Sequence, residues 1–247
     1  IVSGDSVYDF VTTSTSLISG TYYAGTHSMT IYGDVKSFDC SDNKTKITGI
    51  GLSNNTALCT LHCDNNSITM LNLFTNPALT ELSCNGNQLT TLNLSRNTEL
   101  SRLSCYGNFF TTKAYNDIMC YLPSRSSNDN ARFVPLYDAT ETNAATFVAA
   151  NASIATAKNW NVFYANANTN TSITTTGAAI CNPNGGGSID VNMSRYITLN
   201  VTKNSLIEIS LATDTANTPI RIVSGDWDTT IIAGTNRTSS ISYPSND

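Results

Sequence analysis

Three stretches of the chain repeat one pattern: TALCTLHCDNNSITMLNLFTN, PALTELSCNGNQLTTLNLSRN and TELSRLSCYGNFF, carrying Cys63, Cys84 and Cys105. The two intervals, 84 − 63 and 105 − 84, are both 21 residues. A segment this short cannot enclose a core of its own. A fixed period of that length therefore predicts a solenoid, in which each coil covers the apolar face of the coil before it.

The apolar positions of one coil are Leu79, Leu82, Cys84, Leu89, Leu92 and Leu94, and the preceding coil supplies Leu58, Leu61, Cys63, Ile68, Leu71 and Leu73. The next begins Leu100, Leu103, Cys105 and Phe110. An earlier, degenerate coil fits Val35, Phe38, Cys40, Ile47, Ile50 and Leu52 if two residues are inserted between Asn43 and Ile47. Together these positions should make one continuous core.

Each of Cys63, Cys84 and Cys105 falls at the inward end of its strand and reads as a small apolar core residue. Stacked strands lie ~4.8 Å apart with parallel Cβ directions, whereas a disulfide needs Cβ atoms at ~3.8 Å tilted together. The ladder thiols are expected to be free. Seven cysteines leave at least one unpaired in any case; Cys120 and Cys181 could pair, although nothing in their spacing favours it.

Asparagine recurs as well, at Asn43, Asn66, Asn87 and Asn108 after the strand and at Asn55, Asn76 and Asn97 at the end of the coil. A buried amide can donate to and accept from backbone groups left unpaired at a sharp turn. Stacked turns then become asparagine ladders, and Asn87→Ala is expected to destabilise the fold by ~1–3 kcal/mol.

The pattern LxxLxCxxNxLTxLxLSxN resembles the bacterial cysteine-bearing leucine-rich repeats of 21 residues found in internalin-type adhesins and related secreted surface proteins. The resemblance covers residues 35–110. It implies a right-handed α/β solenoid with a parallel sheet on one face, and binding of proteins or surfaces rather than catalysis. The chain departs from that pattern in length, since only about four coils are legible.

Beyond Phe110, TTKAYNDIMCYLP places Tyr115, Ile118, Met119 and Leu122 at helical spacing with Pro123 as the stop. RFVPLYDA reads as a strand. Asp138 and Glu141 suggest a capping box for a helix carrying Ala144, Phe147, Val148 and Ile154, and NWNVFYA, with Trp160, reads as the returning strand. Residues 111–180 are thus a cap and linker. Gly185 to Gly187 follow it and suit a flexible connection rather than a phosphate loop, because no helix opening on Lys-Ser or Lys-Thr follows them.

From 188 to 247, β-branched runs such as YITLNV and LIEISL alternate with polar turns and suggest a small all-β, sandwich-like module. IVSGD occurs at residues 1–5 and again at 222–226, and the same offset aligns Phe10 with Ile231 and Tyr22 with Tyr243. Residues 1–33 therefore read as a β-rich amino-terminal cap, part of the same kind of module. Such a partial sheet leaves an edge, which either a second copy or the 188–247 module would fill.

Charged residues make up only 13% of the chain, and the net charge of −5 lacks the clustered cations that a nucleic-acid partner requires. No apolar run is long enough to span a membrane. IVSGDSVYDF is not a signal sequence, so any leader is expected to have been removed. Nine Asn-x-Ser/Thr sequons occur, which an Asn-, Thr- and Ser-rich composition produces by chance; Asn43 belongs to the buried ladder and would not carry a glycan.

The histidines, His27 and His62, have no neighbouring nucleophile or metal-ligand pattern, and the carboxylates Asp39, Asp42 and Asp64 match no calcium loop. No catalytic residues, cofactor or metal are expected. A ligand would meet the outward strand positions: Asp39, Thr60, His62, Asp64, Glu81, Ser83, Asn85, Arg102, Ser104 and Tyr106. Arg102 and Tyr106 have the side-chain types that dominate interfaces. The functional expectation is a non-enzymatic protein, secreted or on a bacterial cell surface, that serves adhesion or protein recognition. The alternatives are carbohydrate capture, with Trp227 and tyrosines of the β module stacking on sugar rings, or a passive spacer.

Overall fold

A computed structural model of the chain describes residues 6–11, 18–24, 28–32, 34–44, 46–52, 55–166, 172–178, 181, 196–201, 205–212 and 219–224. Strands β1 (Ser6–Val11), β2 (Ile18–Ala24), β3 (Ser28–Tyr32), β4 (Ser37–Asp39), β5 (Ile47–Gly51), β6 (Thr60–His62), β7 (Glu81–Ser83) and β8 (Arg102–Ser104) come first. Helix α1 (Thr112–Tyr121), β9 (Ala131–Leu136), α2 (Ala144–Val148), α3 (Ser153–Thr156) and β10 (Trp160–Tyr164) follow, and β11 (Tyr196–Val201), β12 (Ser205–Ala212) and β13 (Pro219–Ser224) complete the order. Few helices accompany a parallel sheet of six strands, β10-β9-β8-β7-β6-β4, which β12 and β2 extend in antiparallel fashion.

Within the repeats the three-residue strands are in register, so that Phe38, Leu61, Leu82 and Leu103 stand side by side and point inward. Alternation of side chains along a strand does this, since the residues on either side of each leucine must face out. Parallel bridges Ile50↔Leu71 and Asn72↔Asn93 join the coils on the opposite side. Every apolar position assigned to the four coils is buried, none more than 6% exposed.

The chain leaves each strand through a left-handed residue two places after the cysteine: Asp42, Asn65, Gly86 and Gly107, with φ of 60, 53, 59 and 65°. A Cβ on Gly86 would lie 2.5 Å from Asn65 Oδ1 in the neighbouring coil. Glycine is therefore needed there both for its φ and for its bareness.

The next residue is the asparagine of the first ladder. Asn87 Nδ2 donates to the carbonyls of Cys63, Cys84 and Asn85 at 2.9, 3.2 and 3.1 Å, while its Oδ1 accepts from Ile68 N at 3.0 Å. Asn66 and Asn108 donate in the same way to their own and the preceding coil. In the second ladder Asn76 Nδ2 reaches the carbonyls of Leu52 and Asn55, and Asn97 Nδ2 those of Leu73 and Asn76.

Cys40, Cys63, Cys84 and Cys105 are buried and free, and Cys59 is free and half-buried. The Cys63 and Cys84 thiols donate to the carbonyls of Ser83 and Ser104 on the next strand. Burial pushes all four ladder thiols well above the usual thiol range. Iodoacetamide at neutral pH should therefore label native protein at Cys59 alone, whereas unfolding without reductant should expose all five free thiols. Mass spectrometry reads both counts, and a labelled Cys84 in native protein would contradict the burial.

Past the repeats, α1 forms as its spacing predicts: Tyr115, Ile118 and Met119 are buried, Thr111 Oγ1 accepts from Ala114 N at 3.2 Å, and the helix ends at Leu122 before Pro123. Lys158 Nζ closes its carboxy end by donating to the carbonyls of Met119, Cys120 and Leu122. Strand β9 extends the sheet beside β8, and β10 pairs parallel to β9.

The expected capping box is not formed. Asp138 Oδ1 accepts from Thr140 N, and Glu141 reaches backward and sideways to Tyr137 N and Gly107 N. The single helix expected from Ala144 to Ile154 is two, α2 and α3, because the chain bends at Ala149–Ala152 to admit a returning segment. In that segment Ile173 N donates to Val162 O, Thr176 N to Val148 O and Gly177 N to Ala150 O. It leads to Cys181, which forms a disulfide with Cys120, the pairing that spacing did not favour.

The two ends of the chain share both sheets. β13 pairs with β1 and β3, β11 with β3 and β5, and β12 with β2 and β4. The edge expected of the amino-terminal strands is thus filled from the carboxy-terminal segment of the same chain. Residues 1–5 and 225–247, including most of the IVSGD correspondence and Trp227, lie outside the described residues, as do Gly185 to Gly187.

Candidate functional site: the outer face of the parallel sheet

Register sorts the outward side chains into rows. Ser37, Thr60, Glu81, Arg102 and Arg132 form the first, and Asp39, His62, Ser83, Ser104 and Val134 the second. A third row follows the cysteines, at Ser41, Asp64, Asn85 and Tyr106.

Glu81 is the centre of the charged part. Its Oε1 lies 3.2 Å from His62 Nε2 and its Oε2 3.3 Å from Arg102 Nη1, while His62 Nδ1 stands 4.0 Å from Asp39 Oδ2. His62 is thus half-exposed between two carboxylates rather than simply solvated. Such partly exposed pairs each contribute about 0–1 kcal/mol, so they organise the surface more than they stabilise it.

The third row is a ladder that the sequence did not reveal. Asp64 N donates to Ser41 Oγ at 3.1 Å, Asn85 N to Asp64 Oδ1 at 2.6 Å, and Tyr106 N to Asn85 Oδ1 at 3.0 Å. Ser83 Oγ donates to both oxygens of Asp64, and Ser104 Oγ to Asn85 Oδ1. Asn85, expected to be exposed, is buried, and Asp64 is tied to the next coil. The reason is geometric: the strand has ended, the next coil's N–H faces this position, and a short side chain with an oxygen reaches it. The recurrence of Ser, Asp and Asn directly after the cysteine was the available signal.

Burial raises the Asp64 carboxyl above its usual 3.8, against the opposing hydrogen bonds from Ser83 and Asn85. With a raised folded value, the native state takes up the proton first as pH falls. Wild type should therefore gain stability relative to Asp64→Asn as pH is lowered from neutral towards 3.8. Urea melts of both proteins across that range test the sign, and a widening deficit in acid would refute it.

Arg102 is two-thirds exposed. Tyr106 packs against Tyr137, ring centroids 5.5 Å apart, and burial pushes its phenol upward. Arg132, Val134 and Tyr137 extend the face and were absent from the sequence-derived set, although β9 itself was recognised. Adding its outward residues to the rows would have found the first two. The Cys63 thiol points inward, away from outward-facing His62, and no group of three or more His, Cys, Asp or Glu among the described residues could hold a metal. Among the same residues no helix is long and apolar enough to cross a membrane.

No protein-family model, curated protein or solved structure matches this chain.

Proposed function

We propose that the chain is a non-enzymatic recognition protein, secreted or on a bacterial cell surface, in which leucine-rich repeats form a short right-handed solenoid that binds a protein ligand on its outer sheet face. The observation that carries this reading is the in-register outward display of Asp39, His62, Glu81 and Arg102, with Tyr106 in the row that follows the strands. The Cys120–Cys181 disulfide supports an oxidising location, where the ladder thiols stay reduced because they are buried and parallel.

Size bounds the affinity. Six parallel strands at ~4.8 Å spacing and ~10 Å depth offer ~290 Å², short of the ~800 Å² per partner of a stable complex. The loops or the aromatic surface near Tyr137 must therefore contribute. Biolayer interferometry of the whole chain against extracellular proteins should find a ligand whose affinity falls about thirtyfold in Arg102→Ala/Tyr106→Ala. A ligand bound equally by that variant would place recognition elsewhere, and glycan capture lost in Trp227→Ala would move it to the 188–247 segment.

A further inference from the structure

Tyr106 and Tyr137 follow the paired strands β8 and β9, with ring centroids 5.5 Å apart and planes inclined at 55°. Tyr137 is exposed and Tyr106 half-buried. Glu141 lies at the roots of both, because its carboxylate accepts from Gly107 N, next to Tyr106, and from Tyr137 N. Asp138 follows Tyr137 directly, and Asp64 stands two coils back in the row that ends at Tyr106, joined to it through Asn85. Burial first, then Asp64, Tyr137, Glu141 and Asp42, push the Tyr106 phenol upward, so these charges act on its hydroxyl. Only neutral donors serve Asp64, Asp138 and Glu141, and among the described residues no cation pairs with them. The cations of the face, Arg102 and Arg132, stand in the first row, drawn onto Glu81 and over Phe163. This end of the face is therefore aromatic and anionic.

We propose that the Tyr106–Tyr137 pair receives an arginine or lysine side chain from a basic segment of a protein partner, its charge answered by the carboxylates of the 138–141 loop. This rests on the sheet face being the recognition surface. A cation is drawn to the π face of a tyrosine, and carboxylates without a cation of their own add to that attraction. Tyrosine also supplies rigid contact area at low entropic cost. A neutral sugar fits less well, because only one of two rings inclined at 55° could lie flat beneath a pyranose. An acidic ligand would be repelled.

Fluorescence anisotropy on the whole chain tests this with a short labelled peptide carrying an arginine pair between glycines, its citrulline twin, and a labelled neutral oligosaccharide. The arginine peptide should bind, weaken with added salt, and lose about fivefold in Tyr137→Ala and about threefold in Asp138→Asn. Tyr137→Phe, which keeps the ring, should bind like wild type. So should Met70→Ala, which removes an apolar side chain 74% exposed elsewhere on the coil. Absence of peptide binding, equal binding of the citrulline twin, tighter capture of the oligosaccharide, undiminished binding in Tyr137→Ala, or an equal loss in Met70→Ala would each overturn the assignment. A protein ligand lost on Arg102→Ala/Tyr106→Ala but kept by Tyr137→Ala would leave the recognition face standing and remove the tyrosine site.

Discussion

Asn87→Ala is expected to lower the unfolding free energy by about 3 kcal/mol, at the top of the range for an orphaned buried group. The three carbonyls that Asn87 serves keep other donors: Asn66 at Cys63, Asn108 at Cys84, and Asn65 N at Asn85. Ile68 N has no such reserve, since Asn87 Oδ1 is its partner at 3.0 Å. The loss is therefore one stranded N–H plus weakened turns in two coils. Exposed Asn93, whose Oδ1 caps Ser95 N at 3.0 Å, gives the control; Asn93→Ala should change stability by no more than about 0.5 kcal/mol. Urea denaturation measures both, and equal stabilities for the two variants would remove the ladder from the account of the fold.

Replacing Cys120 and Cys181 together by serine is expected to cost about 3 kcal/mol. The bond joins residues 61 apart in sequence, and constraining a loop of that length in the unfolded chain is worth about 4 kcal/mol by loop entropy alone, a value that usually comes out smaller in practice. Cys181 is exposed and Cys120 half-buried, so the new hydroxyls can be solvated and add little penalty of their own. Hydrogen exchange should quicken first at Thr176 and Gly177, whose N–H groups bond Val148 O and Ala150 O. Unchanged stability and exchange would show that the returning segment holds its place without the bond.

These two results probe different kinds of information. The asparagine ladder could be read from the chain because each coil writes it again at the same interval, and so could the burial of Leu61, Leu82 and Leu103. Helix α1 was readable for a similar reason, since Tyr115, Ile118 and Met119 recur at helical spacing. The disulfide was not, because pairing depends on where a segment after α3 travels. The same holds for Asp138 and Glu141: their spacing fits a helix cap, yet Glu141 finds stronger use as an acceptor for Tyr137 N and Gly107 N.

The candidate site divides in the same manner. Asp39, His62, Glu81, Arg102 and Tyr106 were identifiable as outward residues from strand alternation. That Asp64 and Asn85 are absorbed into a ladder, and that Arg132 arrives beside Arg102, required knowing which backbone groups and strands become neighbours.

What the residues alone determined is the inward identity of the repeated apolar positions and the outward identity of the strand residues on either side of each leucine, because a fixed period and the alternation of a strand act over a few residues. Tertiary structure decided the interleaving of β1–β5 with β11–β13, the Cys120–Cys181 bond and the adjacency of two arginines. Each of those closes a long stretch of chain, and the free energy that selects the closure lies in contacts between segments that no local pattern encodes.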